Sequence, residues 1–228
     1  MIIAVFGSTG TTGRELITQA LERGHHIRAF ARTPGKLSDL RHEGLEIIPG
    51  ELSDRESIVR TIINTDAVIS LLGPRDNSRD RSLSNGMQFI VDAMTRAGNR
   101  RIVSISTASV RDDQDQFDMP YFLLVGIVKH AFNHAYGEII AMSDIIRSSG
   151  LDWTLVRVGL LNNEQMKQIK VGYHGKRSIM IPIFRSIRTG FYGHHQVGIQ
   201  VSRVSVAKFI LDQITSKKYL RQAPAISD

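Results

Sequence analysis

Met1-Ile2-Ile3-Ala4-Val5-Phe6-Gly7-Ser8-Thr9-Gly10-Thr11-Thr12-Gly13-Arg14-Glu15-Leu16-Ile17 is the stretch that decides the fold. The apolar run Ile2 to Phe6 reads as a strand buried on both faces, and Leu16, Ile17, Ala20 and Leu21 then recur at helical spacing. A strand therefore gives way to a helix within a few residues, across the pattern G-x-x-G-x-x-G. Gly7 lets the backbone turn sharply, Gly10 has no side chain to hold a pyrophosphate away, and Gly13 lets the new helix pack closely on the strand. The helix N-terminus turns free N–H groups and the positive end of its dipole toward an anion. Thr9, Thr11 and Thr12 add hydroxyl donors at the same place. A glycine-rich turn alone is a weak signal, but this one follows a strand and opens a helix, which is the context a dinucleotide fingerprint requires.

Working outward, His26-Ile27-Arg28-Ala29-Phe30-Ala31 alternates as a second strand. A dinucleotide fold that takes NAD places Asp or Glu at the end of this strand, about 20 residues beyond the glycines, to hold the ribose diol. Arg32 stands there instead, with Thr33 and Lys36 close by, and this favours a 2′-phosphate and hence NADP. Leu45 to Ile48 is a third strand, after which Ser53 or Asp54 can cap the next helix. Asp66 to Leu72 is a fourth strand running into Gly73-Pro74, Ser82 to Ala97 has helical periodicity stopped by Gly98, and Arg101 to Thr107 is a fifth strand ending in hydroxyls. The alternation predicts an α/β fold: a Rossmann-type doubly wound parallel sheet, one domain over residues 1–228, with a small C-terminal substrate-side region. Ligands of such sheets lie outside the carboxyl ends of the strands, and Gly7, Arg32, Leu52, Gly73, Ser106 and Thr107 all fall there.

Further along, Asp112 to Pro120 reads as a polar, flexible flap, and a long helical region spans roughly Phe122 to Ser149. Leu151 to Gly159 is a sixth strand. Asn162 to Gly193, with the apolar island Ile179 to Ile183, is expected to cover the substrate end of the cleft. Val197 to Val201 reads as a last strand, and Ser205 as the cap of a helix from Val206 to Ile214.

Composition narrows the function classes. The 228 residues contain no cysteine, which removes disulfides, cysteine metal ligands and thiol catalysis. His130 and His134 share a helix face but lack the glutamate of a His-Glu-x-x-His zinc motif. The net charge of +7 is spread in short groups without a helix-turn-helix or interleaved aromatics, so no nucleic-acid partner is expected. No apolar run approaches the roughly 20 residues of a membrane span. Met1 leads into a core strand rather than a charged leader, so the expected location is cytoplasmic, as a monomer or homodimer with a small-molecule partner.

The chain resembles the atypical short-chain dehydrogenase/reductase family, in the NAD(P)H-binding branch related to NmrA-like proteins and biliverdin-IXβ/flavin reductase. The resemblance rests on the glycine turn, Ala31-Arg32, Gly50-Glu51-Leu52-Ser53-Asp54, Leu71-Leu72-Gly73, Val103 to Thr107, Arg147 to Arg157 and Val201 to Ala207. It implies that Glu51 and Leu52 flank the adenine, that Leu72 and Gly73 line the ribose side, and that Ser106 and Thr107 sit beside the nicotinamide; Arg75, just beyond Gly73, could reach phosphate. Val158 stands where the family commonly has proline, and Ser205 where it has an acid.

The family's usual acid, a Tyr-x-x-x-Lys pair, is missing: Ile140 follows Tyr136 by four residues, and Val125 follows Tyr121. Lys129 precedes Tyr136 by about two helical turns and could meet it, which keeps Tyr136 as a catalytic candidate beside Ser106 and Thr107. The residues thus favour an NADPH-dependent reductase passing hydride to a flat acceptor such as a quinone or flavin. A redox-sensing regulator that binds the dinucleotide without turnover is the alternative, and an epimerase, which would want the tyrosine base, ranks last.

Overall fold

The computed structural model describes residues 1–115, 119–173 and 197–228. Strands β1 (Ile2–Phe6), β2 (His26–Ala31), β3 (Leu45–Pro49), β4 (Ala67–Ser70), β5 (Arg101–Thr107) and β6 (Asp152–Val158) pair in parallel in the order β3-β2-β1-β4-β5-β6. The order reverses at β1, so β2 and β4 diverge from it, and the crevice at this switch point is where such sheets bind ligands.

Helices cover both faces because the central strands are apolar on both sides, β1 and β4 being buried almost throughout. Ile3 and Val5 pack with α1 (Thr11–Glu22) and α6 (Arg203–Thr215), whereas Ala4 and Phe6 point to α2 (Arg55–Ile62), α3 (Ser82–Ala97) and α5 (Asn133–Ser148). Leu16, Ile17, Ile58, Ile62, Ile90 and Ile210 are fully buried, and each is worth about 1.5–3 kcal/mol of transfer free energy.

The helix ends follow local chemistry. Asp54 accepts from Ser57 N at 3.0 Å, making it the cap of α2. Gly98 closes α3 in the left-handed region at φ 74. Glu138 of α5, only 7% exposed, accepts from Ser84 N and Ser84 Oγ at 2.9 and 2.8 Å and so caps α3 from a neighbouring helix.

Three expectations need correction. The helix expected over Phe122 to Ser149 is two, α4 (Met119–Ala131) and α5, separated at Phe132. Asn77 accepts from His134 N and Ala135 N at 2.9 and 3.0 Å, giving α5 a cap from a distant loop and thereby a start of its own. The strand expected at Val197 to Val201 is a bridge residue at Val197 followed by β9 (Gln200–Ser202), which pairs with β7 (Leu160–Asn162) away from the main sheet. The last strand is β10 (Ala225–Ser227), lying between β6 and the antiparallel β8 (Lys170–Gly172). Finally, Ser202 rather than Ser205 caps α6, since its Oγ accepts from Ser205 N.

Of the expected flap, residues 112–115 are tied down and Met119 and Pro120 already belong to α4. The guanidinium of Arg157, 1% exposed, grips Asp115 through two hydrogen bonds of 2.6 and 2.8 Å and also donates to Val110 O. The apolar island Ile179 to Ile183 lies outside the described residues.

Candidate functional site

The turn between β1 and α1 uses its glycines for three different physical reasons. Gly7 has φ +79, and a Cβ there would lie 2.6 Å from the carbonyl carbon of Leu71. At Gly13 a Cβ would come within 2.3 Å of Gly7 O, so only glycine lets α1 settle on the turn. Gly10 is different: its φ of −74 suits any residue, and a Cβ would meet nothing nearer than 3.4 Å. The chain's own packing does not demand glycine at position 10, but Gly10 lines the cavity, where a side chain would take space from a ligand at the helix mouth. No side chain caps α1, so the first-turn amides of Thr11, Thr12 and Gly13, residues that line the cavity, have no intrahelical acceptor. Ser8, fully buried, donates to Phe30 O at 2.6 Å and fixes the turn against β2.

The cavity has a volume of about 540 Å³ and runs from this turn across the ends of β4, β5 and β6. Leu72, Gly73 and Arg75 line it beyond β4, Ser106 and Thr107 at the end of β5, Val158 at the end of β6, and Gly159 and Leu161 just past it. Ile139, Met142, Ser143 and Ile146 of α5 form the opposite wall, and Arg203 enters from α6. A volume of this size suits a small ligand's reacting end. Gly7, Thr11, Thr12, Leu72, Arg75, Ser106 and Thr107, all expected at the site from the sequence, meet here.

The hydroxyls are already oriented. Ser143 Oγ donates to Ile139 O at 2.8 Å, so across the 3.2 Å contact between Ser106 and Ser143 the proton comes from Ser106. Thr107 Oγ1 lies 2.6 Å from Ser109 Oγ. Tyr136 is not in the cavity lining, and Lys129 Nζ sits 5.9 Å from the centre of its ring, against the face rather than at the hydroxyl.

Thr9, Arg32, Thr33, Lys36, Glu51 and Leu52 lie outside the lining, around the ends of β1, β2 and β3. Arg32, Thr33, Lys36 and Glu51 are exposed, and Arg32 has no partner among the described residues. The loop that carries Lys36 is held by Arg14, which donates to Lys36 O and pairs with Asp39; that hydrogen bond raises the arginine's pKa and lowers the aspartate's. Leu52 is half-buried against Gly86, where a Cβ would approach its Cβ to 2.7 Å.

Sequence reasoning missed Arg14 as the brace of this loop, Ser143 as the partner of Ser106, and Arg203. The sequence signal for Arg14 was its place one residue beyond Gly13; the other two depend on which helices the sheet brings together.

A parallel sheet whose order reverses at a glycine turn, with an uncapped helix facing a cavity at the carboxyl ends, defines a dinucleotide-binding α/β protein. The chain belongs to the NAD(P)H-binding family: the model of that family, described as NAD(P)H-binding, matches residues 7–217. Over 120 residues it is 34% identical to a 3β-hydroxysteroid dehydrogenase/Δ5→4-isomerase of Mycobacterium tuberculosis, covering 47% of this chain and 32% of that protein. The chain thus spans about a third of the length of the curated relative it matches there. Two solved structures share the fold over 100% of this chain. One is ChuY of Escherichia coli O157:H7, an anaerobillin reductase (TM-score 0.73, 17% identity, 97% of that chain), and the other a short-chain dehydrogenase/reductase of Veillonella parvula in complex with NADP (TM-score 0.69, 19% identity, 94% of that chain). Among the described residues no helix is long and apolar enough to cross a membrane, and no three His, Cys, Asp or Glu side chains cluster as a metal site.

Proposed function

We propose that the protein is an NADPH-dependent reductase that passes hydride to a small, flat acceptor such as a quinone or flavin. The observation that carries this reading is the single cavity that joins the glycine turn to Ser106 and Thr107 under the apolar wall of Ile139, Met142, Val158 and Leu161. The first-turn amides of α1 and Arg75 would hold the diphosphate, Arg32 and Lys36 the 2′-phosphate, and Glu51 and Leu52 the adenine edge. Bound there, the cofactor supplies the hydride, and the protein's part is to orient it and keep water out. Ser106 and Thr107 would position the carboxamide or the acceptor. With its proton committed to Ser143, Ser106 serves as a positioning acceptor rather than an acid. An acceptor that draws its proton from solvent needs no Tyr-x-x-x-Lys pair, which agrees with Tyr136 standing outside the cavity.

The test is to mix the protein with NADPH and a panel of quinones and flavins and to follow the absorbance of the reduced nicotinamide. Oxidation above background is expected with at least one acceptor, and none across the panel would turn the reading into that of a dinucleotide-binding regulator. In the same assay Arg32→Asp should weaken NADPH by about tenfold or more and NADH far less, a charge-assisted contact being worth about 1.5–3 kcal/mol. Equal losses would remove Arg32 from the 2′-phosphate.

A further inference from the structure

Arg203 is a guanidinium in the cavity with no carboxylate to answer it. It is the first residue of α6, half-buried, and lines the cavity beside Val158, Gly159 and Leu161. One of its amino groups donates to Asn163 Oδ1 at 2.7 Å, and among the described residues it forms no ion pair. Asp228, whose carboxylate binds the neighbouring Ser202, is taken up by the backbone and hydroxyl of that residue. The other charged residue among the lining is Arg75, so the lining carries two cations and no acid.

The position is built rather than incidental. A Cβ on Gly159 would lie 2.1 Å from Ile199 O, and Leu160 N donates to that same oxygen at 2.7 Å. This close approach seats β9 beside β7 and so delivers the start of α6 to the cavity wall. Arg203 opens α6, which follows β9 and packs on α1, where Gln19 Nε2 donates to Val204 O at 3.0 Å; in the cavity it shares the lining with Val158, Gly159 and Leu161 at the end of β6. In the reductase reading the diphosphate and the 2′-phosphate are assigned other donors, the first-turn amides of α1 with Arg75, and Arg32 with Lys36. A guanidinium held by one amide oxygen keeps several N–H groups free in a planar fork, the geometry that matches a carboxylate or phosphate. The lining it shares with Val158 and Leu161 is apolar there.

We propose that Arg203 binds an oxyanion, a carboxylate or phosphate, carried by the acceptor, so that the enzyme selects anionic flat acceptors over neutral ones. This rests on the reductase reading and adds to it the class of substrate.

The experiment compares the wild type with Arg203→Gln and Arg203→Lys on three naphthoquinones that share a side chain ending in a carboxylate, its methyl ester or a phosphate. Expected is a preference in kcat/KM for the carboxylate or the phosphate over the ester that falls about tenfold or more in Arg203→Gln. The lysine variant, which keeps the charge without the fork, should fall between. The anion with the larger fall names the group. The Kd for NADPH, read by fluorescence titration, should change by less than twofold. A Kd that rises as much as the preference falls would give Arg203 to the dinucleotide instead, and an unchanged preference would overturn the proposal outright. Should no acceptor be reduced, calorimetry of the oxidised dinucleotide complex with a redox-inert naphthalene carboxylate and its ester decides separately. Carboxylate binding that weakens about tenfold in the variant upholds the anion site without turnover, and equal binding of carboxylate and ester by the wild type refutes it.

Discussion

Gly10 and Gly13 stand three residues apart in one turn, yet their replacement should have opposite consequences. Gly13→Ala drives a methyl into Gly7 O and should cost about 1–3 kcal/mol of stability. Gly10→Ala meets no backbone, sits at an extended φ that alanine adopts freely, and should hold or slightly raise the melting temperature. Its methyl would instead intrude at the mouth of α1 and weaken the dinucleotide by about tenfold or more, on the scale of a lost charge-assisted contact. Thermal melts paired with calorimetric titration separate the two; a Gly10→Ala variant that binds NADPH as tightly as the parent would refute the role given to that glycine. The packing role of Gly13 was legible in the sequence because it depends on a strand, a turn and a helix that are contiguous. Arg203 and Ser143 were not, because nothing local says that α6 and α5 reach the same cavity as β5.

At the level of elements, the regular alternation up to β5 was readable almost residue by residue: Ser82 to Ala97 is helical with Gly98 as its stop, since a left-handed terminator acts where it stands. The split of α4 from α5 was invisible, for neither proline nor glycine marks Phe132, and the helix start is created by Asn77 more than fifty residues away. Likewise the three residues of β10 carry too short a pattern to announce a strand. Glu138 offers a test of such distant caps. Glu138→Gln keeps one acceptor oxygen and loses the charge that faces the start of α3, so it should lower stability by about 1–2 kcal/mol in a denaturant titration. No change would mean that solvent caps α3 equally well.

Across the whole molecule, one polar node joins segments far apart in sequence. Arg157 of β6 holds Asp115, Asp112 accepts from Ala223 N, and Tyr173 donates to Gln222 Oε1 at 2.7 Å with Arg157 6.0 Å from its ring. Burial, reinforced by Asp112, pushes the Tyr173 phenol from 10 up to about 12. A raised acid favours its protonated form in the folded state, so the stability linked to Tyr173 is complete below pH 10 and is lost as pH climbs through about 12. Spectrophotometric titration of wild type against Tyr173→Phe should therefore show the missing phenol ionising near pH 12, and a difference centred near 10 would dissolve the node.

The place of β10 also orders events during synthesis. Ribosomes release β6 some seventy residues before the strand that will lie along its outer border, while β8, which flanks β10 on the other side, emerges in between with no central partner. Until residues 221–225 arrive, β6 keeps an open row of peptide groups, the kind of border onto which another nascent chain can add itself. Completion of the sheet is thus a late step, and chaperones that shield unpaired strand borders would be needed most in that interval.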